Sequence, residues 1–122
     1  MYVRKFKKIK IYADYAHHPT EITATLTAAK NLDYNNVIAV FQPFTFSRTA
    51  LLKDEFIKAL SIADKVILTP IMGSREVNTY GISSEDIAKG LKDCVIVDGF
   101  QNIADKIIGT AKENDIVITM GG

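Results

Sequence analysis

Asp14-Tyr15-Ala16-His17-His18-Pro19-Thr20-Glu21 is the stretch on which the reading of this chain turns. A short β-like run, Ile9 to Tyr12, leads into it, and an apolar stripe of helical spacing, Ile22, Leu26 and Ala29, leads out. Pro19 suits the first helical position because its missing N–H would have no partner there, and Glu21 favours the positive end of the helix dipole. Asp14 to His18 therefore read as a βα loop at the carboxyl end of a strand, the edge of an open α/β sheet where ligands bind. Two readings fit the loop: a ligand-facing segment, or a helix cap made by Asp14 and His18 with His17 in solvent. No zinc site is expected, because the two adjacent histidines lack a third ligand and the chain has no other histidine and one cysteine.

Beyond the helix that runs to about Asn31, Val37-Ile-Ala-Val-Phe41 is a continuous apolar run of strand length, as expected of a strand covered on both faces. Gln42 to Arg48 follows it directly; Ser47 is a good N-cap for a helix whose stripe is Leu52, Phe56, Ala59 and Leu60. Arg48 reads either as a first-turn surface residue or as a planar fork of donors beside a helix start, aimed at a carboxylate or phosphate. Lys65-Val-Ile-Leu-Thr69 is a third strand, which Pro70 cannot prolong as a central strand. The loop from Ile71 to Ser83, with Arg75 and Glu76, is long enough to suggest function or mobility. Ser83 and Asp86 resemble a capping box ahead of the core-facing Ile87 and Leu91. Val95 to Asp98 is a fourth strand, Phe100, Ile103, Ile107 and Ala111 mark a fourth helix, and Ile116 to Thr119 is a fifth strand ending at Gly121-Gly122.

Strand alternates with helix throughout, which implies right-handed βαβ units and a mostly parallel sheet. The motif-bearing segments follow the first, second, third and fifth of these strands, all on one carboxyl edge, so a single site is expected there. The 122 residues fit one domain, and 48% hydrophobic with 24% charged residues is ordinary for a globular chain. A net charge of +1 argues neither for nor against a polyanionic partner. The basic run Arg4, Lys5, Lys7, Lys8 and Lys10 reads as a solvated face or, alternatively, a phosphate-facing patch. Cys94 has no partner for an internal disulfide, no apolar run has the length of a membrane span, and no signal-peptide core precedes the domain, so a cytoplasmic location is expected.

Four ordered segments resemble the C-terminal domain of the Mur ligases. Asp14-Tyr-Ala-His-His-Pro-Thr-Glu-Ile22 is similar to the signature that opens it, Phe41-Gln-Pro-Phe-Thr-Phe-Ser-Arg-Thr49 to its Phe-Gln-Pro-His-x-x-Ser-Arg-Thr, Ser74-Arg-Glu76 to its Ala-Arg-Glu, and Asp115 to Gly122 to its closing strand and Gly-rich turn. Phe44 stands where a histidine is usual. The double histidine and the Ser-Arg-Thr segment favour the branch that joins L-alanine to UDP-N-acetylmuramate in peptidoglycan biosynthesis. The branch that attaches whole peptides to that sugar shares the double histidine.

The resemblance implies a Rossmann-like, three-layer α/β domain with five to six strands, residues 1–122 being one fragment of a three-domain ligase, cut at the Gly-rich turn. It implies chemistry in which ATP phosphorylates a substrate carboxylate and an amine attacks the acyl phosphate, with Mg2+ held mainly by a central domain. The phosphate loop of that central domain is absent from this sequence, so the chain alone is expected to be inactive. The resemblance places Asp14, Tyr15 and Arg4 on the nucleotide, His17, His18 and Arg48 at the reacting groups, and Arg48, Arg75 and Glu76 near the amino acid and acyl group. A stand-alone Rossmann-like nucleotide- or anion-binding module remains the alternative, although no Gly-x-Gly-x-x-Gly follows the first strand. No nucleic acid or membrane partner is expected.

Overall fold

A computed structural model describes residues 2–6, 9–73 and 76–121, with side-chain surroundings from residue 9 onward. Six strands form one sheet in the order β1-β2-β6-β3-β4-β5: β1 Tyr2–Phe6, β2 Ile9–Ala13, β3 Val37–Gln42, β4 Lys65–Leu68, β5 Cys94–Ile96 and β6 Ile116–Gly121. β1 pairs antiparallel with β2, and the other four pairings are parallel. The strand β1 within the basic run is an addition to the five read from the sequence. It leaves the expected mostly parallel α/β fold intact.

The sheet is covered on both faces. α1, Pro19–Lys30, α3, Lys53–Leu60, and α4, Ser84–Ala88, pack on one side, where Ile22, Leu26, Phe56, Leu60 and Ile87 meet Val37, Ala39, Phe41, Leu68 and Ile118. The rings of Phe41 and Phe56 lie 5.3 Å apart at 36°, a tilted contact inside that core. α5, Phe100–Thr110, covers the other face with Ile103 and Ile107 over Ile38, Val40, Ile67 and Val117. The continuous apolar runs are thus strands buried on both sides: every residue of β3 except Gln42 is buried.

Three local expectations need correction. The helix after β3 begins at Thr45, not Ser47: α2 spans Phe46–Leu51, and the Thr45 hydroxyl accepts from the Arg48 N–H at 3.2 Å. Both residue types cap well; the earlier start also lets the Thr49 hydroxyl donate to the Thr45 carbonyl and be buried. The expected single helix is broken at Leu52, whose φ of −109° and ψ of 18° separate α2 from α3. Phe100 does not join the stripe of its helix. It is 88% exposed, standing in the first turn beyond the end of the short strand β5.

The capping box at Ser83 and Asp86 forms as expected. Lys10 lies 5.3 Å from the Tyr34 ring at the amino-terminal edge of the sheet, so it points away from any site at the carboxyl edge. Burial, with the Asp93 carboxylate beside it, pushes the Cys94 thiol up to about 11, which leaves it unreactive at neutral pH. Among the described residues no helix is long and apolar enough to cross a membrane.

Candidate functional site at the carboxyl edge

The loops after β2, β3, β4 and β6 leave four neighbouring strands at one edge of the sheet. Two adjoining clefts open there. One, of about 490 Å³, is lined by Tyr15, His17, Phe44, Thr45, Arg48 and Gly121. The other, of about 200 Å³, is lined by Ala13, Asp14, Tyr15, Thr119, Met120 and Gly121. Tyr15, 82% exposed, and Gly121 belong to both.

The Asp14 to His18 loop is held by its own hydrogen bonds. Asp14 N–H donates to the Thr119 carbonyl at 2.8 Å, which carries the β2–β6 ladder one residue past the strand. One Asp14 carboxylate oxygen accepts from Ala16 N–H at 2.9 Å, and the other from the Thr25 hydroxyl at 3.3 Å. Asp14 therefore ties the loop to α1 and does not cap it. His18 is the cap: its Nδ1 accepts from Thr20 N–H at 3.2 Å, and Glu21 accepts back from His18 N–H at 3.1 Å and His17 N–H at 3.3 Å. These two backbone donors hold the Glu21 carboxyl below its ordinary range.

The two histidines are fixed in opposite senses. His17 Nδ1 lies 2.9 Å from the Tyr15 carbonyl, which can only accept, so Nδ1 carries the proton and Nε2 of the neutral ring is an acceptor. In His18, Nδ1 is the acceptor and the neutral ring carries its proton on Nε2. Only His17 lines a cleft. The capping reading thus accounts for His18, and the ligand-facing reading keeps His17, Tyr15 and Asp14.

Gly121 closes the site from below. Its φ is +100°, its N–H donates to the Ala16 carbonyl at 2.9 Å, and a Cβ there would strike the Gln42 carbonyl. Arg48 stands on the second residue after the α2 start-point pair Thr45 and Phe46, exposed at the cleft, and its guanidinium has no hydrogen bond or ion pair among the described residues. Among the described residues that line the larger cleft, Arg48 is a cation and none is a carboxylate.

Glu76 lies outside both linings. Its two oxygens accept from Ser47, the backbone N–H at 3.0 Å and the hydroxyl at 2.6 Å, which holds the Glu76 carboxyl below its ordinary range. Arg75 and the side chain of Arg4 lie outside the described residues; the Arg4 backbone pairs with Ile11 in the β1–β2 ladder. Sequence reasoning missed Thr45 and Gly121 as walls of the cleft. The Thr-x-x-Arg spacing and the Gly after the last strand were the available signals.

The set suits a bound anion beside a proton acceptor: the Arg48 guanidinium and the Tyr15 hydroxyl can donate, His17 Nε2 accepts, and none of the described lining residues is acidic. Among the described residues no three His, Cys, Asp or Glu side chains come together as metal ligands.

Comparison with known proteins agrees with this geometry. The family model for the Mur ligase, glutamate ligase domain, matches residues 1–122. The UDP-N-acetylmuramate–L-alanine ligase of Caldicellulosiruptor saccharolyticus is 50% identical over 121 residues, covering 96% of this chain and 27% of that protein. The chain thus spans about a quarter of the length of the curated relatives it matches. A solved domain from a proposed UDP-N-acetylmuramate:L-alanyl-gamma-D-glutamyl-meso-diaminopimelate ligase of Haemophilus ducreyi is 26% identical, with a TM-score of 0.74 over 99% of this chain and 85% of that one. The UDP-N-acetylmuramate-alanine ligase of Thermotoga maritima shares the fold, with a TM-score of 0.71 and 24% identity over 98% of this chain and 25% of that one. Fold, motif order and relatives converge: the chain belongs to the Mur ligase family and corresponds to its glutamate ligase domain.

Proposed function

We propose that residues 1–122 are the C-terminal domain of a three-domain, ATP-dependent ligase that joins L-alanine to UDP-N-acetylmuramate, and that this domain supplies nucleotide and amino-acid contacts when it closes over the rest of the enzyme. The observation that carries the reading is the cleft in which Arg48, His17 and Tyr15 meet with no acidic side chain among the described lining residues, in a chain half identical to an L-alanine-adding ligase.

In this reading ATP supplies the phosphoryl group that activates the sugar's carboxylate, and Mg2+ is held by the other domains. The chain's own side chains bind and orient. Asp14, already accepting two local hydrogen bonds, keeps further lone pairs for ribose hydroxyls at the smaller cleft. Arg48 steadies a carboxylate or acyl phosphate oxygen, with Arg75 a second cation for the same task and Arg4 one for the nucleotide. Tyr15 and His17 line the same side, and His17 Nε2 offers an acceptor to the incoming amine. His18 acts through the turn it caps. Closure excludes water from the reactive acyl group. The working location is the cytoplasm, where these nucleotide substrates are made.

The test grafts this chain in place of the matching segment of the Caldicellulosiruptor saccharolyticus ligase. Arg48→Ala in the graft is expected to lower kcat/KM for L-alanine about 100-fold, equivalent to about 2.7 kcal/mol. Unchanged activity would remove Arg48 from the mechanism. The chain alone is expected to show no L-alanine-dependent ATP hydrolysis, and its appearance would overturn the dependence on other domains. The double histidine is shared with a second reading, a ligase for whole peptides, and a graft preferring an L-alanyl peptide to L-alanine would establish it.

A further inference from the structure

The loop after β4 and the start of α2 are joined by four separate contacts. Met72 N–H donates to the Pro43 carbonyl at 3.0 Å, and Gly73 N–H donates to the Phe44 carbonyl at 2.9 Å. Gly73, at φ +82°, lies so close to the Phe46 ring that a Cβ would overlap it. Glu76 then closes the far end by taking both the N–H and the hydroxyl of Ser47. Ser47 precedes Arg48 directly, and Phe44, whose carbonyl accepts from Gly73 N–H, lines the cleft with Thr45 and Tyr15.

We infer that Glu76 is a positioning residue, a clasp that fixes the loop after β4 to the start of α2 and so sets where Arg48, Thr45 and Phe44 stand in the cleft. This deepens the reading of the cleft as the amino-acid site and rests on it. Glu76 is exposed, and nothing in the hydrophobic core demands it. Its carboxylate is committed to Ser47, not presented to the cleft, so it acts through Arg48's backbone neighbour and touches no substrate. The strength of the clasp comes from its geometry: two donors of one residue converge on one carboxylate, and the charged acceptor shortens the hydroxyl bond to 2.6 Å. The rest of the loop has its own anchors, since Asn78 bridges to Ile82 in both directions and the Ser84 hydroxyl donates to the Thr69 carbonyl. Loss of Glu76 therefore frees only the stretch that touches α2.

Amide exchange measured by NMR on this chain tests the clasp without any activity. Glu76→Ala is expected to speed exchange at Ser47, Met72 and Gly73 about tenfold or more while the β3 amides stay protected, and Glu76→Gln, which still accepts from the Ser47 N–H, is expected to restore most of the protection. Unchanged exchange at all three amides would overturn the clasp. In the grafted ligase Glu76→Ala is expected to raise KM for L-alanine about tenfold with the KM for ATP within about twofold of the parent, and Glu76→Gln to fall near the parent. Faster exchange with an unchanged L-alanine KM would overturn the positioning role. Arg48→Ala without effect in the same graft, beside an intact exchange result, would mark the cleft reading as the part that failed and would leave Glu76 nothing to position.

Discussion

The two edges of this sheet spend their polar side chains differently. At the amino-terminal edge, Asp64 and Asp115 immediately precede β4 and β6, and each carboxylate is fully engaged. Asp64 accepts from Val37 N–H at 2.7 Å and from the Lys30 ammonium at 2.9 Å. Asp115, 2% exposed, accepts from Asn36 at 3.2 Å and from Lys112 N–H at 2.8 Å. At the carboxyl edge comparable commitments hold loops in shape, at Asp14, Glu21, Glu76 and Asp86, while Arg48 and one nitrogen of His17 have no partner among the described residues and stand beside an open cleft. The first edge uses hydrogen bonds to begin strands. The second uses them to aim the Arg48 guanidinium and His17 Nε2, which have no partner among the described residues. Satisfied polar groups mark architecture, and unspent ones held in place by satisfied neighbours mark a site.

The comparison can be broken most severely at Gly121. Gly121→Ala combines a left-handed backbone with a clash against the Gln42 carbonyl, and is expected to cost about 3 kcal/mol or more, read as a lower urea midpoint, with both clefts distorted. At the opposite edge Asp115→Ala leaves the half-buried Asn36 amide and the Lys112 N–H without their acceptor; about 2 kcal/mol of destabilisation is expected, with kcat/KM of the graft unchanged per folded molecule. A loss of activity beyond the loss of folded protein would mean the edges are not independent.

A finer test uses acid. Burial raises the Asp64 carboxyl, but the Val37 N–H and Lys30 outweigh it and leave it below its ordinary range. A folded-state value below the unfolded one gives stability that is present above the unfolded value, near 4, and is lost as pH falls through the folded value. Stability should therefore be flat near neutrality and fall in acid below about pH 4, and Asp64→Asn should flatten part of that fall. The smallest effect belongs to Tyr15: Tyr15→Ala removes an 82% exposed side chain and is expected to shift stability by less than about 0.5 kcal/mol while weakening the graft's activity.

Much of this was legible in the sequence, for reasons that differ by element. α1 could be bounded from Pro19 and its stripe because local chemistry starts the helix and burial continues it: Ile22 and Leu26 are wholly buried. β3, β4 and β6 could be recognised from apolar runs, since both faces are covered. The start of α2 was ambiguous because Thr45 and Ser47 cap equally well in isolation; in the structure Thr45 caps, and the Ser47 hydroxyl donates instead to Glu76, which is distant in sequence. Phe100 obeyed the period of its helix but had no strand beneath it. The gathering of the motif-bearing loops at the carboxyl edge followed from strand order alone. The division of labour between His17 and His18 did not, because it depends on which ring nitrogen meets a carbonyl and which meets an N–H.

The place of β6 in the sheet has a consequence for how the chain acquires its fold. Although it follows every other strand in sequence, it sits between β2 and β3 and hydrogen-bonds to both. A nascent chain that has not yet released residues 116–121 holds two half-sheets, β1-β2 and β3-β4-β5, each with an unpaired edge at the line where the other should join. Synthesis thus passes through a stage in which neither half can complete its core, and strands this apolar are then most open to pairing with the wrong neighbour.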